Sequence, residues 1–224
     1  VVVRMRFVNL VGNGIEQVRL ADAGRTVDKK RVIGICRLFR DGDGGGVSSV
    51  SATFQMYGGT ISGNTASGNG GGVALWNAAF TLSDGEISNN KAPSGNGGGV
   101  YFSGYTDSNT LIVSDTVKIE GNSAVDGGGI YINSYNLTVT GGSITGNTAT
   151  GSGGGVYFGG NRFEIEGSVN IAGNKKGGTF TSSGLTGGTD NNVYLPSRKY
   201  ITVTNPLTGP VIGVTTEAAP SDSE

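Results

Sequence analysis

Histidine is absent from the 224 residues, and with it go the commonest general base and the commonest neutral metal ligand. A histidine-dependent triad and a histidine zinc site are thereby excluded. There is one cysteine, Cys36, and an internal disulfide needs two. Prolines number five and no three-residue glycine period exists, so the chain is not collagen. No apolar run approaches the roughly 20 residues that a transmembrane helix requires, and no membrane-spanning helix is expected.

Charge is scarce and nearly balanced, with 16 Lys and Arg against 17 Asp and Glu. Its distribution is uneven: residues 1–40 hold nine basic and three acidic residues, and residues 41–224 hold seven and fourteen. The acidic body offers no basic stripe for phosphates, which argues against nucleic acid as a partner. No cofactor motif is legible either. The basic segment 1–40 reads as an N-terminal cap or a poorly ordered leader, residues 41–216 as the main body, and 217–224 as an acidic tail or linker. No signal peptide is visible in the leader. Starting at Val1, the chain is compatible with a piece of a longer protein.

What is abundant is glycine, at 43 residues against a usual share of about 7 %. Five triplets are each followed by a branched aliphatic, at Gly44-Gly45-Gly46-Val47, Gly70-Gly71-Gly72-Val73, Gly97-Gly98-Gly99-Val100, Gly127-Gly128-Gly129-Ile130 and Gly153-Gly154-Gly155-Val156. Out of phase with them runs Ile-x-x-Asn, at Ile61/Asn64, Ile87/Asn90, Ile119/Asn122, Ile144/Asn147 and Ile171/Asn174. Two residues beyond the asparagine stands alanine in four copies, Ala66, Ala92, Ala124 and Ala149, with Lys176 in the fifth. A period of 25 to 32 residues held by two independent motifs is the mark of a solenoid.

Each period contains three short alternating runs, which indicate half-buried strands. One follows the triplet, one runs through Phe54–Tyr57, Phe80–Ser83, Leu111–Ser114, Leu137–Thr140 and Phe163–Glu166, and one centres on each Ile. The expected fold is all-β: a right-handed single-stranded parallel β-helix of about six three-strand coils, spaced by ~4.8 Å. Val193–Leu195, Ile201–Thr204 and Val211–Val214 are read as the sixth coil's three strands. Asn64, Asn90, Asn122, Asn147 and Asn174 are expected to form a ladder along the axis.

The paired Gly-Gly-Gly-[Val/Ile] and Ile-x-x-Asn motifs over residues 41–216 resemble the Gly-Gly-Ala-[Ile/Leu/Val] and Phe-x-x-Asn repeats of polymorphic outer-membrane proteins. More broadly they resemble the adhesin-like right-handed β-helix repeats of large bacterial surface proteins, which share the pectin-lyase-like fold. The chain departs from the outer-membrane pattern in using Ile for Phe and a third Gly for Ala, and it carries no membrane-inserting barrel region. The resemblance implies a secreted or surface-displayed bacterial protein. Because one solenoid hosts many activities, it implies little about function.

Four surface features are candidates for function. Tyr101, Tyr131, Tyr157 and Tyr194 form an outward column that begins at Ala74, with Trp76 near its start. Such a column either offers rings to sugars of a glycan or host-surface molecule, or stacks on itself and stiffens the face. The longest interruption of the repeat, 103–110, carries Tyr105, Asp107 and Asn109, and loops are where a rod places specificity. The carboxylate pairs Asp84/Glu86, Asp115/Glu120 and Glu164/Glu166 raise the alternative of a polysaccharide-degrading enzyme, but they flank a solvated face that would not raise one pKa. Thr138/Thr140 and Thr202/Thr204 raise a second alternative, an ice-binding solenoid, though Gln55, Ile112 and Glu164 interrupt that ladder. The favoured expectation is a non-enzymatic stalk or adhesin-like segment, with no catalytic residue, metal or cofactor assigned.

Overall fold

The computed structural model of the chain describes residues 10–11, 31–34, 45–50, 53–105, 109–181, 184–209 and 212–217. Every regular element among them is a β-strand. The strands stack as a parallel β-solenoid of about five turns. The first wall is a seven-stranded parallel sheet of Val47–Val50, Val73–Trp76, Val100–Ser103, Ile130–Asn133, Val156–Phe158, Val193–Leu195 and Val214–Thr216. Equivalent residues pair coil on coil, Val73 with Val100, Val100 with Ile130, Ile130 with Val156 and Val156 with Val193.

The second and third walls belong to one bent sheet, not two separate ones. In the first two turns they are single nine-residue strands, Phe54–Ser62 and Phe80–Ser88. These strands pass the corner through Gly58, Gly59 and Gly85, all at positive φ. Later turns break into pairs, such as Thr110–Val113 and Lys118–Glu120, where Asp115 takes up the corner at φ 52°. Ile61, Ile87, Ile119, Ile144 and Ile171 form one in-register column.

Two expectations are corrected here. Four coils have a fourth strand as well as the three read from alternation. Lys91–Ala92, Ser123–Ala124, Thr148–Ala149 and Lys175–Lys176 form a parallel ladder of two-residue strands. This is the role of the alanine column, whose members Ala66, Ala92, Ala124 and Ala149 are buried. The strand order read from sequence puts Val214 in the third strand of a sixth coil, but Val214–Thr216 pairs with Val193–Leu195 on the first wall. After Leu207 the chain is held to the preceding coil by Thr208 N–H donating to Gly167 O. Gly209 lies so close to the Val169 carbonyl that a Cβ would come within 2.3 Å of it. Residues 210–211, and with them Val211 of the expected strand, lie outside the described residues.

Of the segment 1–40, two short strands lie among the described residues. Leu10–Val11 pairs parallel to the Ile61 strand, and Arg31–Gly34 pairs antiparallel to Phe54–Tyr57. Of the segment 217–224, Glu217 is described, and it accepts from Ser197 N–H at 2.8 Å.

The interior is one cluster of aliphatic and aromatic side chains running from Val47 to Leu195. The asparagine ladder closes it along one corner. From Asn90 onward each Oδ1 accepts both the backbone N–H and the Nδ2–H of the asparagine one coil earlier, as Asn122 does from Asn90 at 2.9 and 3.0 Å. From Asn90 to Asn174 each Nδ2 also donates to an isoleucine carbonyl of the preceding coil, as Asn122 does to Ile87 O at 2.9 Å, whereas Asn64 Nδ2 donates to Ser62 O. The pattern repeats through Asn64, Asn90, Asn122, Asn147 and Asn174, and ends on Asn192, a partner that the Ile-x-x-Asn spacing did not reveal.

The triplet glycines have separate reasons. The first of each described triplet, Gly70, Gly97, Gly127 and Gly153, sits at positive φ, which glycine adopts at little cost. The second and third lie against the next coil, so a Cβ on Gly98 would meet Gly128 O at 2.5 Å, and one on Gly99 would meet Gly129 O at 2.6 Å.

Replacing Asn122 with Ala orphans two buried donors of Asn90, each costing about 1–3 kcal/mol. Asn122→Ala is therefore expected to lower the unfolding free energy by about 3 kcal/mol or more, whereas Lys118→Ala on the exposed third wall shifts it by no more than about 0.5 kcal/mol. Urea titration followed by circular dichroism checks both. Equal stability of Asn122→Ala and wild type would mean that the ladder does not hold the coils.

Candidate functional site

The four column tyrosines occupy one register on the outer face of the first wall, Tyr101 beside Tyr131, Tyr131 beside Tyr157 and Tyr157 beside Tyr194. Parallel pairing sets the four side chains at neighbouring levels, and their torsions bring the rings together. Ring centroids are 5.4 Å apart for Tyr101 and Tyr131, 4.7 Å for Tyr131 and Tyr157, and 5.4 Å for Tyr157 and Tyr194. The first two pairs are stacked, at interplanar angles of 5° and 17°. Trp76 closes the far end by tilting onto Tyr101 at 5.1 Å.

Of the two roles open for this column, the coordinates favour self-stacking. The faces of Tyr131 and Tyr157 are taken up by neighbouring rings, which leaves edges and hydroxyls at the surface. A sugar that stacks on an aromatic needs a face. Among the described residues no ring lies on the outer side of Tyr194, at the end of the row.

Burial pushes the Tyr131 phenol up to about 12, aided by Tyr157, Tyr101 and Asp126. Tyr157 is raised by burial, then by Asp126, Tyr194 and Glu217. Tyr194 is raised by burial, then by Glu217 and Asp126. Asp126 is itself held in place: its Oδ1 accepts Ser152 N–H at 2.7 Å, and its own N–H donates to Asn96 Oδ1. Asn69 Oδ1 accepts Asn96 N–H in the same way. A second polar ladder thus runs beside the first, one residue before each glycine triplet. Its signal was in the sequence, since Asn69, Asn96, Asp126 and Ser152 all precede a triplet.

The 103–110 loop stands apart from the ring stack. Tyr105 is 93 % exposed and its N–H donates to Asn77 Oδ1 at 2.9 Å. Asn109 is half-buried at the loop's far end, and Asp107 lies outside the described residues. The same Asn77 oxygen accepts the hydroxyl of Tyr135 at 2.8 Å. Tyr135 is fully buried against Phe102 and fills the corner beneath the loop, so much that Gly104 has no room for a Cβ. The loop is therefore rooted in the core at its base and presents one bare aromatic ring.

Of the carboxylate pairs, Asp84, Asp115, Glu164 and Glu166 are engaged between or within coils. Glu164 pairs with Arg162 at 3.3 Å. Glu166 accepts from Asn205 Nδ2 and from Thr204 Oγ1, and these two hydrogen bonds, Asn205 first, lower its pKa. A general acid needs the opposite shift. Asp84 accepts from Thr116 Oγ1 at 2.7 Å and from Gly85 N–H at 2.8 Å. Among the described residues no group of three or more Cys, Asp or Glu side chains is gathered as for a metal ion. The outward column of the second wall reads Gln55, Thr81, Ile112, Thr138, Glu164, Thr202, so the threonines do not form a continuous ladder.

No family model, curated protein or solved structure matches the chain.

The raised phenol of Tyr131 has a consequence for stability at high pH. A group held protonated in the folded state contributes stability that is present below its ordinary value of 10.0 and lost as pH rises through the folded value. Unfolding free energy is expected to fall between pH 10 and about 12, and Tyr131→Phe to flatten that slope. Denaturant melts at stepped alkaline pH check this, and an unchanged slope in Tyr131→Phe would show that Tyr131 ionises as freely as an exposed phenol.

Proposed function

We propose that this chain is a non-enzymatic stalk segment of an adhesin-like bacterial surface protein, secreted or displayed at the cell surface. The observation that carries the reading is the unbroken amide ladder from Asn64 to Asn192. A polar row of that length, in which Asn90, Asn122, Asn147 and Asn174 each use both the oxygen and the nitrogen of the amide, ties each coil to the next and favours a rod that resists shear between coils. Stacked tyrosines on the first wall act in the same sense. The outward carboxylates support it too, since Glu164 is spent on Arg162 and Glu166 on Asn205 and Thr204, whose hydrogen bonds move its pKa away from that of a general acid. Segments of this kind hold a binding module away from a surface, and their length is set by the number of coils.

A contact with a glycan or host-surface molecule is a second reading, favoured by one observation: Tyr105 stands 93 % exposed on a loop anchored to the core. Polysaccharide depolymerisation and ice binding are the remaining alternatives, with weaker support from the residues described above.

Removing residues 128–153 rejoins Gly127 to Gly154 and restores a triplet. For a stalk, that protein is expected to unfold cooperatively, with a rod shorter by ~4.8 Å in small-angle scattering. On a glycan array, the wild-type chain is expected to be silent. Specific binding that disappears with Tyr105→Ala would replace the stalk reading with the adhesive one, and polysaccharide cleavage lost on Glu164→Gln would replace it with the enzymatic one.

A further inference from the structure

Two tyrosines joined by oxidation need their rings in contact when both carry a radical. On most proteins an exposed tyrosine finds such a partner only on another molecule. Here the parallel register supplies the partner inside the chain. Tyr131 and Tyr157 are the closest pair of the column, with centroids 4.7 Å apart and planes 17° from parallel. Both are half-buried, open to a small oxidant along their edges but flanked by Tyr101 and Tyr194. That flanking keeps off the ring of a second protein molecule. The ring torsion of tyrosine is soft, so a tilt brings one ortho carbon of each ring toward the other.

We infer that the tyrosine column is a site of oxidative cross-linking, in which Tyr131 and Tyr157 join as an intramolecular dityrosine stapling two adjacent coils. The oxidant is hydrogen peroxide acting through a haem peroxidase. Each phenol gives up one electron and its hydroxyl proton. The two phenoxyl radicals form one carbon–carbon bond between ring positions ortho to oxygen. The hydrogens on those two carbons then move to the oxygens as the rings regain aromaticity. The two electrons and two protons reduce one peroxide to two waters. The link joins residues far apart in the chain and restricts the unfolded state as a disulfide does, so it raises the midpoint of thermal unfolding. This chemistry depends on the ring stack alone, whichever reading of function holds.

The competing site is Tyr105, 93 % exposed, together with Tyr200, 65 % exposed. Those rings are placed to couple between molecules. Treating the chain with a haem peroxidase and hydrogen peroxide, then recording dityrosine fluorescence, intact mass and cross-linked peptides, separates the two. The expected product is a fluorescent monomer lighter by two hydrogen atoms, with the peptides of Tyr131 and Tyr157 joined. It is lost in Tyr131→Phe and Tyr157→Phe, which keep a ring in the stack, and it persists in the double variant Tyr105→Phe/Tyr200→Phe. Fluorescence confined to covalent dimers, or a monomer whose mapped link excludes Tyr131 and Tyr157, overturns the assignment.

Discussion

A primary amide can be buried only if its two donors and its oxygen find partners, because each unmet group costs as much as a good hydrogen bond returns. That requirement, repeated at five asparagines, sets the architecture. Asn90 Nδ2 reaches backward to Ile61 O and forward to Asn122 Oδ1, and it can do both only when three consecutive coils are in one register. A slip by one residue would turn inward-facing side chains outward and break every rung together. The ladder thus acts as a register pin, and the walls, the aromatic column and the second polar ladder inherit their alignment from it.

Much of this was legible in the residues because the fold is locally written. Alternation with a period of two reports which side chains face the core, and Phe80/Leu82, Leu111/Val113 and Ile130/Ile132 are all buried as that pattern requires. What escaped has physical reasons. A two-residue strand such as Ser123–Ala124 is too short to alternate, so the fourth wall appeared only as a column of small residues. Asn192 ends the ladder from a different local frame, reached after the chain leaves the repeat. Val214 was placed by counting strands, whereas its position is decided by where Gly209 lets the chain cross against Val169. Tyr135 belongs to a corner without a repeat equivalent, and nothing in its neighbours marks it as buried.

The candidate site was legible as a list of positions and less so as geometry. The outward column Tyr101, Tyr131, Tyr157 and Tyr194 follows directly from strand alternation. Its chemistry does not, since the choice between open and stacked rings rests on side-chain torsions that no sequence pattern states. Parallel pairing brings identical residues to the spacing of neighbouring strands, ~4.8 Å, which is close to the stacking distance of aromatic rings. A column of tyrosines in such a sheet therefore satisfies itself first, and offers to solvent only what its own stacking leaves over.

The same economy governs the rest of the surface. Inward positions are committed to the core and corner positions to backbone contacts between coils, so function specific to this chain is left to the outward columns and to the places where the repeat is interrupted or ends. The 103–110 loop is one such place, rooted through Asn77 and Tyr135. The last coil is the other: with no described neighbour beyond it, Val203, Leu207 and Val214 remain exposed around a hollow of about 420 Å³ bordered by Ile165, Ile201 and Ile212. A coil in mid-rod would have those side chains covered by the next one. The exposure at this end has the same cause as the burial everywhere else, because a coil's core is completed only by its neighbour.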